Sequence, residues 1–155
     1  MSVVASETSL IDTPERAAGP SAERVKRRLL LCAGAAAAVA AGSFVGEPTA
    51  ALRADPSLSH LLRGMAVIKG ALALGAIGAL WWRFGRPIDE GMAKAYLCGA
   101  WFMAGAAMIV WQLGHVGVGA IAFHTGELTL LTIAWFEHRA ELGNRRRGTP
   151  VARAS

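Results

Sequence analysis

Four apolar stretches separated by short polar clusters set the pattern of this chain. The first, LLLCAGAAAAVAAGSFVG at residues 29–46, runs for 18 residues without a charge. The second covers residues 58–82, with Arg63 near its start and Lys69 inside it. The third, residues 95–113, is again uncharged, and the fourth, residues 115–136, follows after no more than a tight turn. A helix needs about 20 predominantly apolar residues to cross a hydrocarbon core ~30 Å thick. Each stretch is therefore predicted to be a membrane-spanning helix. EPTAALRADPSLS, with Pro48 and Pro56, breaks the chain between the first two spans, and GRPIDEG breaks it between the second and third. Residues 95–136 are too long for one span, and Gln112, Gly114, His115, Gly117 and Gly119 mark the break.

The expected fold is an all-α, integral membrane four-helix bundle. Residues 1–22 are expected to be a disordered tail, residues 23–139 the four-span domain, and residues 140–155 a basic tail. Gly34, Ala38 and Gly42 recur every four residues and form a smooth stripe for close helix approach. Trp81, Trp82, Trp111 and Trp135 fall near span ends, where interfacial anchors belong. Trp101 does not, and is expected to pack inside the bundle.

Composition supports the lipid setting. The hydrophobic fraction is 54% and the mean hydropathy +0.39, against about 45–50% apolar residues in a soluble domain. The net charge is +5, but the basic residues flank apolar blocks and form no soluble basic face, so nucleic acid is not an expected partner. Their distribution instead predicts topology. Arg16, Arg24, Lys26, Arg27, Arg28, Arg83, Arg86, Lys94, Arg139, Arg145, Arg146, Arg147 and Arg153 fall on one side of a four-span chain, and Arg53 and Arg63 on the other. The positive-inside rule then places both termini in the cytoplasm, and the expected location is a bacterial inner membrane. The general look is similar to that of small four-span bacterial inner-membrane proteins, a likeness of architecture alone. A competing reading takes KRRLLLCAGAAAAVAAGS, with its A-x-A at residues 38–40, as a cleaved export signal.

Candidate chemistry lies in the middle of the second and fourth spans. Lys69, His124 and Glu127 fall at comparable depth, and His124 and Glu127, three residues apart, share a helix face. Pairing Lys69 with Glu127 is expected to offset the cost of an isolated charge in lipid. The cluster then acts as an internal polar staple or as a proton or substrate relay. His60 and His115 both lie at the outer edge, where a pair of histidines can hold a b-type haem or a metal, although no HxxxH or HExxH spacing supports it. No cofactor is expected, and haem at His60 and His115 is the alternative. Cys32 and Cys98 have no CxxC spacing, which sets aside thiol redox chemistry, and they read as buried thiols. No hydrolase, Walker or carboxylate-pair motif appears, so an enzyme is the weaker class.

Three functions follow as expectations. The first is an accessory or structural subunit that binds a larger membrane complex through the Gly/Ala stripes of the first and third spans. The second is a small oligomeric, proton-coupled carrier using Lys69, His124 and Glu127. The third is a haem or metal protein. The expected partners are the lipid bilayer and either another protein or a second copy of the chain.

Overall fold

The structure, a computed structural model, describes residues 20–45 and 55–147. Among these there are four helices: α1 (Pro20–Ser43), α2 (Pro56–Arg83), α3 (Glu90–Gln112) and α4 (Val116–Arg147). Each begins where local chemistry favours it. Pro20 and Pro56 sit where a missing N–H is harmless, in the first turn of α1 and α2. Asp55 caps α2 by accepting the Ser57 and Leu58 amides at 3.0 and 3.1 Å and the Ser57 hydroxyl at 2.6 Å. Asp89 caps α3 through the Gly91 amide at 2.9 Å.

The Ser57 hydroxyl and the Leu58 amide hold the Asp55 carboxyl below the ordinary aspartate range, which is near about 3.9. A carboxylate depressed by folding stabilises the fold fully above that ordinary value. The contribution disappears as pH falls through the depressed value. Asp55→Ala is expected to reproduce the acid effect at neutral pH, with faster hydrogen–deuterium exchange at the Ser57 and Leu58 amides. Unchanged protection there would remove the cap from the account.

The tightest connection joins α3 to α4. α3 ends in Leu113, whose φ of 61° is left-handed. A non-glycine residue in that region costs about 1–2 kcal/mol. Leu113 is buried, and burying a leucine is worth about 1.5–3 kcal/mol, enough to hold the turn. The break falls where the glycines predict it, but Leu113 and not Gly114 takes the strained position.

α3 is the axis of the fold. It packs against α1, α2 and α4, whereas α1 and α2 barely meet. In α3, 61% of the apolar stretch is buried, against 17% in both α2 and α4. The interior is built from small residues with a few large ones. Leu31, Leu80, Phe84, Tyr96 and Ala100 form one cluster, and Ala73, Met103, Ala106 and Phe123 a second. Large aliphatic side chains point outward instead, among them Val67, Ile68, Leu74, Ile121, Leu128 and Leu131. A surface this apolar is unfavourable in water and favourable in lipid.

The predicted stripe on α1 faces α3. A Cβ on Gly34 would overlap the Trp101 indole, and one on Gly42 would come within 2.7 Å of the Gly105 carbonyl oxygen. Trp101 donates Nε1–H to the Leu31 carbonyl at 3.3 Å, in accord with its expected place inside the bundle. The N-terminal end of α1 also grips the last turn of α2 and the α2–α3 connection. Arg27 donates to the Ile88 carbonyl at 3.0 Å and Arg28 to the Trp81 carbonyl at 3.1 Å. At the far end, Gln112 donates to the Ser43 carbonyl at 3.4 Å. Thus α1 runs alongside α3 in the same sense, and α2 and α4 run opposite to both.

α2, α3 and α4 are long and apolar enough to cross a membrane; α1 is not in that group. Glu23, Arg24, Lys26, Arg27 and Arg28 occupy its first turns, leaving 15 uncharged residues from Leu29 to Ser43, about 22 Å of helix. Residue 46, the expected end of the first span, lies outside the described residues. Two other boundaries differ from expectation. Helix begins at Pro20, before residue 23, with Glu23 and Arg27 forming an ion pair at 3.3 Å one turn apart. α4 continues to Arg147, beyond residue 140, through the helix-forming run Ala140–Glu141–Leu142. Residues 1–19 and 148–155 of the expected tails lie outside the described residues, as does Arg53.

Candidate functional site

α2 and α4 flank the same side of α3 and leave a cleft between them. Ala76 and Arg83 line it from α2, and Leu131, Ala134, Glu137 and Glu141 from α4. Lys69 precedes Ala76 by seven residues and Arg83 by fourteen. Glu127 precedes Ala134 by seven and Glu141 by fourteen. Residues seven apart on a helix drift by only ~20°, so Lys69 and Glu127 continue the cleft-facing stripes of α2 and α4 beyond its mouth, without lining it.

The structure brings His124 and Glu127 together. His124 Nδ1 lies 3.1 Å from Glu127 Oε2. Lys69 is not ion-paired with Glu127 among the described residues. Its Nζ sits 4.1 Å from the centroid of the buried Phe123 ring, and Phe123 meets the His124 ring edge-on at 5.8 Å. The expected Lys69–Glu127 pair is therefore replaced by a chain of contacts, Lys69 to Phe123 to His124 to Glu127. Phe123 supplies a negative ring face that a cation approaches favourably.

Orientation is the second departure. The His124 and Glu127 side chains are 61% and 39% exposed, on the outside of the bundle. They do not form an internal staple. Ionisable groups at mid-membrane normally face the protein interior or a water-filled cavity, since exposure to lipid costs about 2.5–3.5 kcal/mol on insertion scales. The neighbouring hydroxyls cause no such conflict. Thr125 and Thr129 donate back to the carbonyls of Ile121 and Thr125 at 2.9 and 2.8 Å.

One end of the cleft is closed by a network not foreseen from the sequence. Arg83 reaches Glu137 through both oxygens, Nη2 to Oε1 at 2.7 Å and Nε to Oε2 at 3.2 Å. The buried Tyr96 hydroxyl donates to the same Oε2 at 2.9 Å. Arg83 also donates to the Pro87 carbonyl at 3.3 Å. Four elements meet here: α2, the α2–α3 connection, α3 and α4. The signal was present in the sequence, since Arg83, Tyr96 and Glu137 each fall at the same predicted boundary of their spans. Charge patterning gives Arg83 only as a topology marker and assigns no role to Tyr96 or Glu137.

The remaining candidates are dispersed. His60 and His115 are exposed near the opposite end of the bundle, where Arg63 lies 5.9 Å from the Trp111 ring centroid. The described residues hold no group of three or more His, Cys, Asp or Glu side chains placed for a metal ion. Cys32 and Cys98 are free and exposed, not buried. Their helix positions point away from α1–α3 packing, so their apolar thiols face outward with the aliphatic side chains. Arginines stack on the outward tryptophans at the Arg83 end, Arg86 on Trp82 at 4.1 Å and Arg139 on Trp135 at 5.0 Å, as suits a belt at a membrane boundary.

On the opposite side of α2, α1 and α2 diverge and expose α3 at the base of a second groove. Ala35, Val39, Ala66, Gly70, Ala73, Ala104 and Trp111 line it. Small side chains predominate in its lining beside larger apolar ones such as Val39 and Trp111, and no ionisable group lines it. Fold and clefts together define an all-helical protein with three helices long and apolar enough to cross a membrane. Comparison of the chain with protein-family models, curated proteins and solved structures returns no match.

Proposed function

We propose that this chain is an accessory or structural subunit of a larger assembly in the bacterial inner membrane. All four helices cross the bilayer, with both termini in the cytoplasm. The topology is supported by the basic end of α1, the α2–α3 connection and the C-terminal part of α4, which share one end of the bundle and carry the excess of Lys and Arg. α1 reaches across by local thinning of the bilayer around its short apolar part.

The observation that carries the reading is the groove between α1 and α2. The Gly/Ala stripe of α1 is already used against α3, so the partner surface moves to this neighbouring face. Small residues let a foreign helix approach closely, which is how helices associate in lipid. Gly70 gives a selective test, because a Cβ there would meet nothing within 4 Å. Gly70→Leu is expected to fill the groove and leave the fold intact. Extraction of the wild-type protein in native membrane patches should recover a membrane protein partner at fixed stoichiometry. The Gly70→Leu variant should lose it at least ten-fold. A wild-type protein recovered without any other membrane protein would overturn the proposal.

A second reading rests on the His124–Glu127 contact beside Lys69. As a proton-coupled carrier, the protein would pass a proton between His124 and Glu127 at the mouth of the α2–α4 cleft. Reconstituted vesicles would then show transport that Glu127→Gln abolishes. Equal flux through wild type and variant would eliminate it.

A further inference from the structure

The outward-facing charges pose a sharper question than the groove does, because they name the chemistry of what covers them. The outer face of α2 and α4 is apolar, with Met65, Leu72, Leu128 and Leu131 all exposed. Within it lie one cation, Lys69, and one half-exposed anion, Glu127, with His124 bonded to the anion. An occupant must therefore bring an anion to Lys69 and a cation to Glu127, on an otherwise apolar surface.

A second copy of this chain meets that demand by symmetry. Two copies inserted with the same topology are related by a two-fold axis along the membrane normal. Such an axis carries every residue to its own depth, and the same patch contacts itself. The face is self-complementary only if its cation and anion lie at matching depths. Lys69 sits level with Phe123. Glu127 follows Phe123 by four residues on the same helix, about 6 Å along the axis, within the span of an extended lysine side chain. A foreign helix would need its own acid and base, inversely arranged at those depths.

We infer that two copies pair through the α2–α4 face, each Lys69 reaching Glu127 of the other copy while His124 holds the remaining carboxylate oxygen. The pairing moves two Lys69 ammonium groups and two Glu127 carboxylates into a shared interior and covers the leucines around them. It rests on the membrane placement proposed above but uses the face of α2 opposite the groove. A dimer and a larger partner can be bound together.

The test uses full-length chains carrying two different tags, co-expressed in membranes, with capture of one tag by the other as the readout. Wild type should capture wild type. Lys69→Glu paired with itself, and Glu127→Lys paired with itself, should each lose capture at least ten-fold, since each sets like charges against each other. Lys69→Glu mixed with Glu127→Lys should restore capture to within about two-fold, because both contacts in the mixed dimer are again opposite in sign. If mixing fails to restore capture while a chain carrying both changes recovers it, the charges pair within one chain and the inference is wrong. Absence of wild-type capture would also overturn it. Should a charge-reversed chain fail to accumulate, Lys69→Gln and Glu127→Gln take its place. Each is expected to lower self-capture at least three-fold, and unchanged capture in both overturns the inference. Gly70→Leu separates the two proposals: it removes the larger partner and leaves self-capture as in wild type.

Discussion

Glu137→Ala is expected to destabilise the bundle by about 3 kcal/mol, because it leaves Arg83 without its counter-ion and the Tyr96 hydroxyl without its acceptor. The effect is measured by reversible unfolding in mixed detergent micelles. The Arg83 and Glu137 side chains are only 24% and 16% exposed, and the Tyr96 hydroxyl that shares Glu137 belongs to a buried residue. Breaking a buried ion pair from one side costs about 3–5 kcal/mol, most of it from the charge left behind. Partial exposure of Arg83 sets the lower end of that range. Tyr96→Phe removes one hydrogen bond to a charged acceptor while the ion pair survives, and is expected to cost about 1.5 kcal/mol. Arg83→Ala should resemble Glu137→Ala, and the double variant should be little worse than either, as groups acting as a unit are not additive. Strict additivity of the two single effects would show that the contact contributes nothing.

That network also shows what the sequence made legible and what it concealed. The apolar runs located all four helices, and the glycines located the α3–α4 break to within a residue. Depth arithmetic sets Lys69 level with the His124 region, since rise per residue is fixed. It could not give azimuth. Lys69 therefore reached Phe123 rather than Glu127, and the expected internal staple became an outward pair. Charge counting had the converse fault. It treats every boundary arginine as solvated, so it gives Arg83 only as a topology marker although Glu137 and Tyr96 lie at the same end of the bundle. The first span was the least legible. Its 18-residue uncharged run fixes a length, but the helix stops at Ser43, and charges at the other end hold it to the α2–α3 turn. The stripe on α1 announced a close helix contact, yet a stripe does not say which helix will fill it. Here it was α3 of the same chain, which leaves the α1–α2 groove as the open face.

Gly126→Ala provides the most direct test of that close packing, with an expected destabilisation of about 1–3 kcal/mol from a single added methyl group. A Cβ at Gly126 would lie 2.6 Å from the Gly99 carbonyl oxygen and 2.9 Å from Met103 Cγ. The carbonyl belongs to helical backbone and cannot swing aside as a side chain can. α3 cannot back away either, because Gly42 and Gly105 hold it equally close to α1 on its other flank. The strain must be taken up by parting α3 from α4 along their whole contact, the most extensive in the fold. Gly75→Ala supplies the matched control. A Cβ there would meet nothing within 4 Å, and alanine favours helix over glycine by up to about 1 kcal/mol. The same substitution is thus expected to weaken the protein at residue 126 and to leave it unchanged or stronger at residue 75. Equal unfolding curves for the two variants would mean that α3 and α4 do not approach to backbone contact, and the fold's central claim would fail with them.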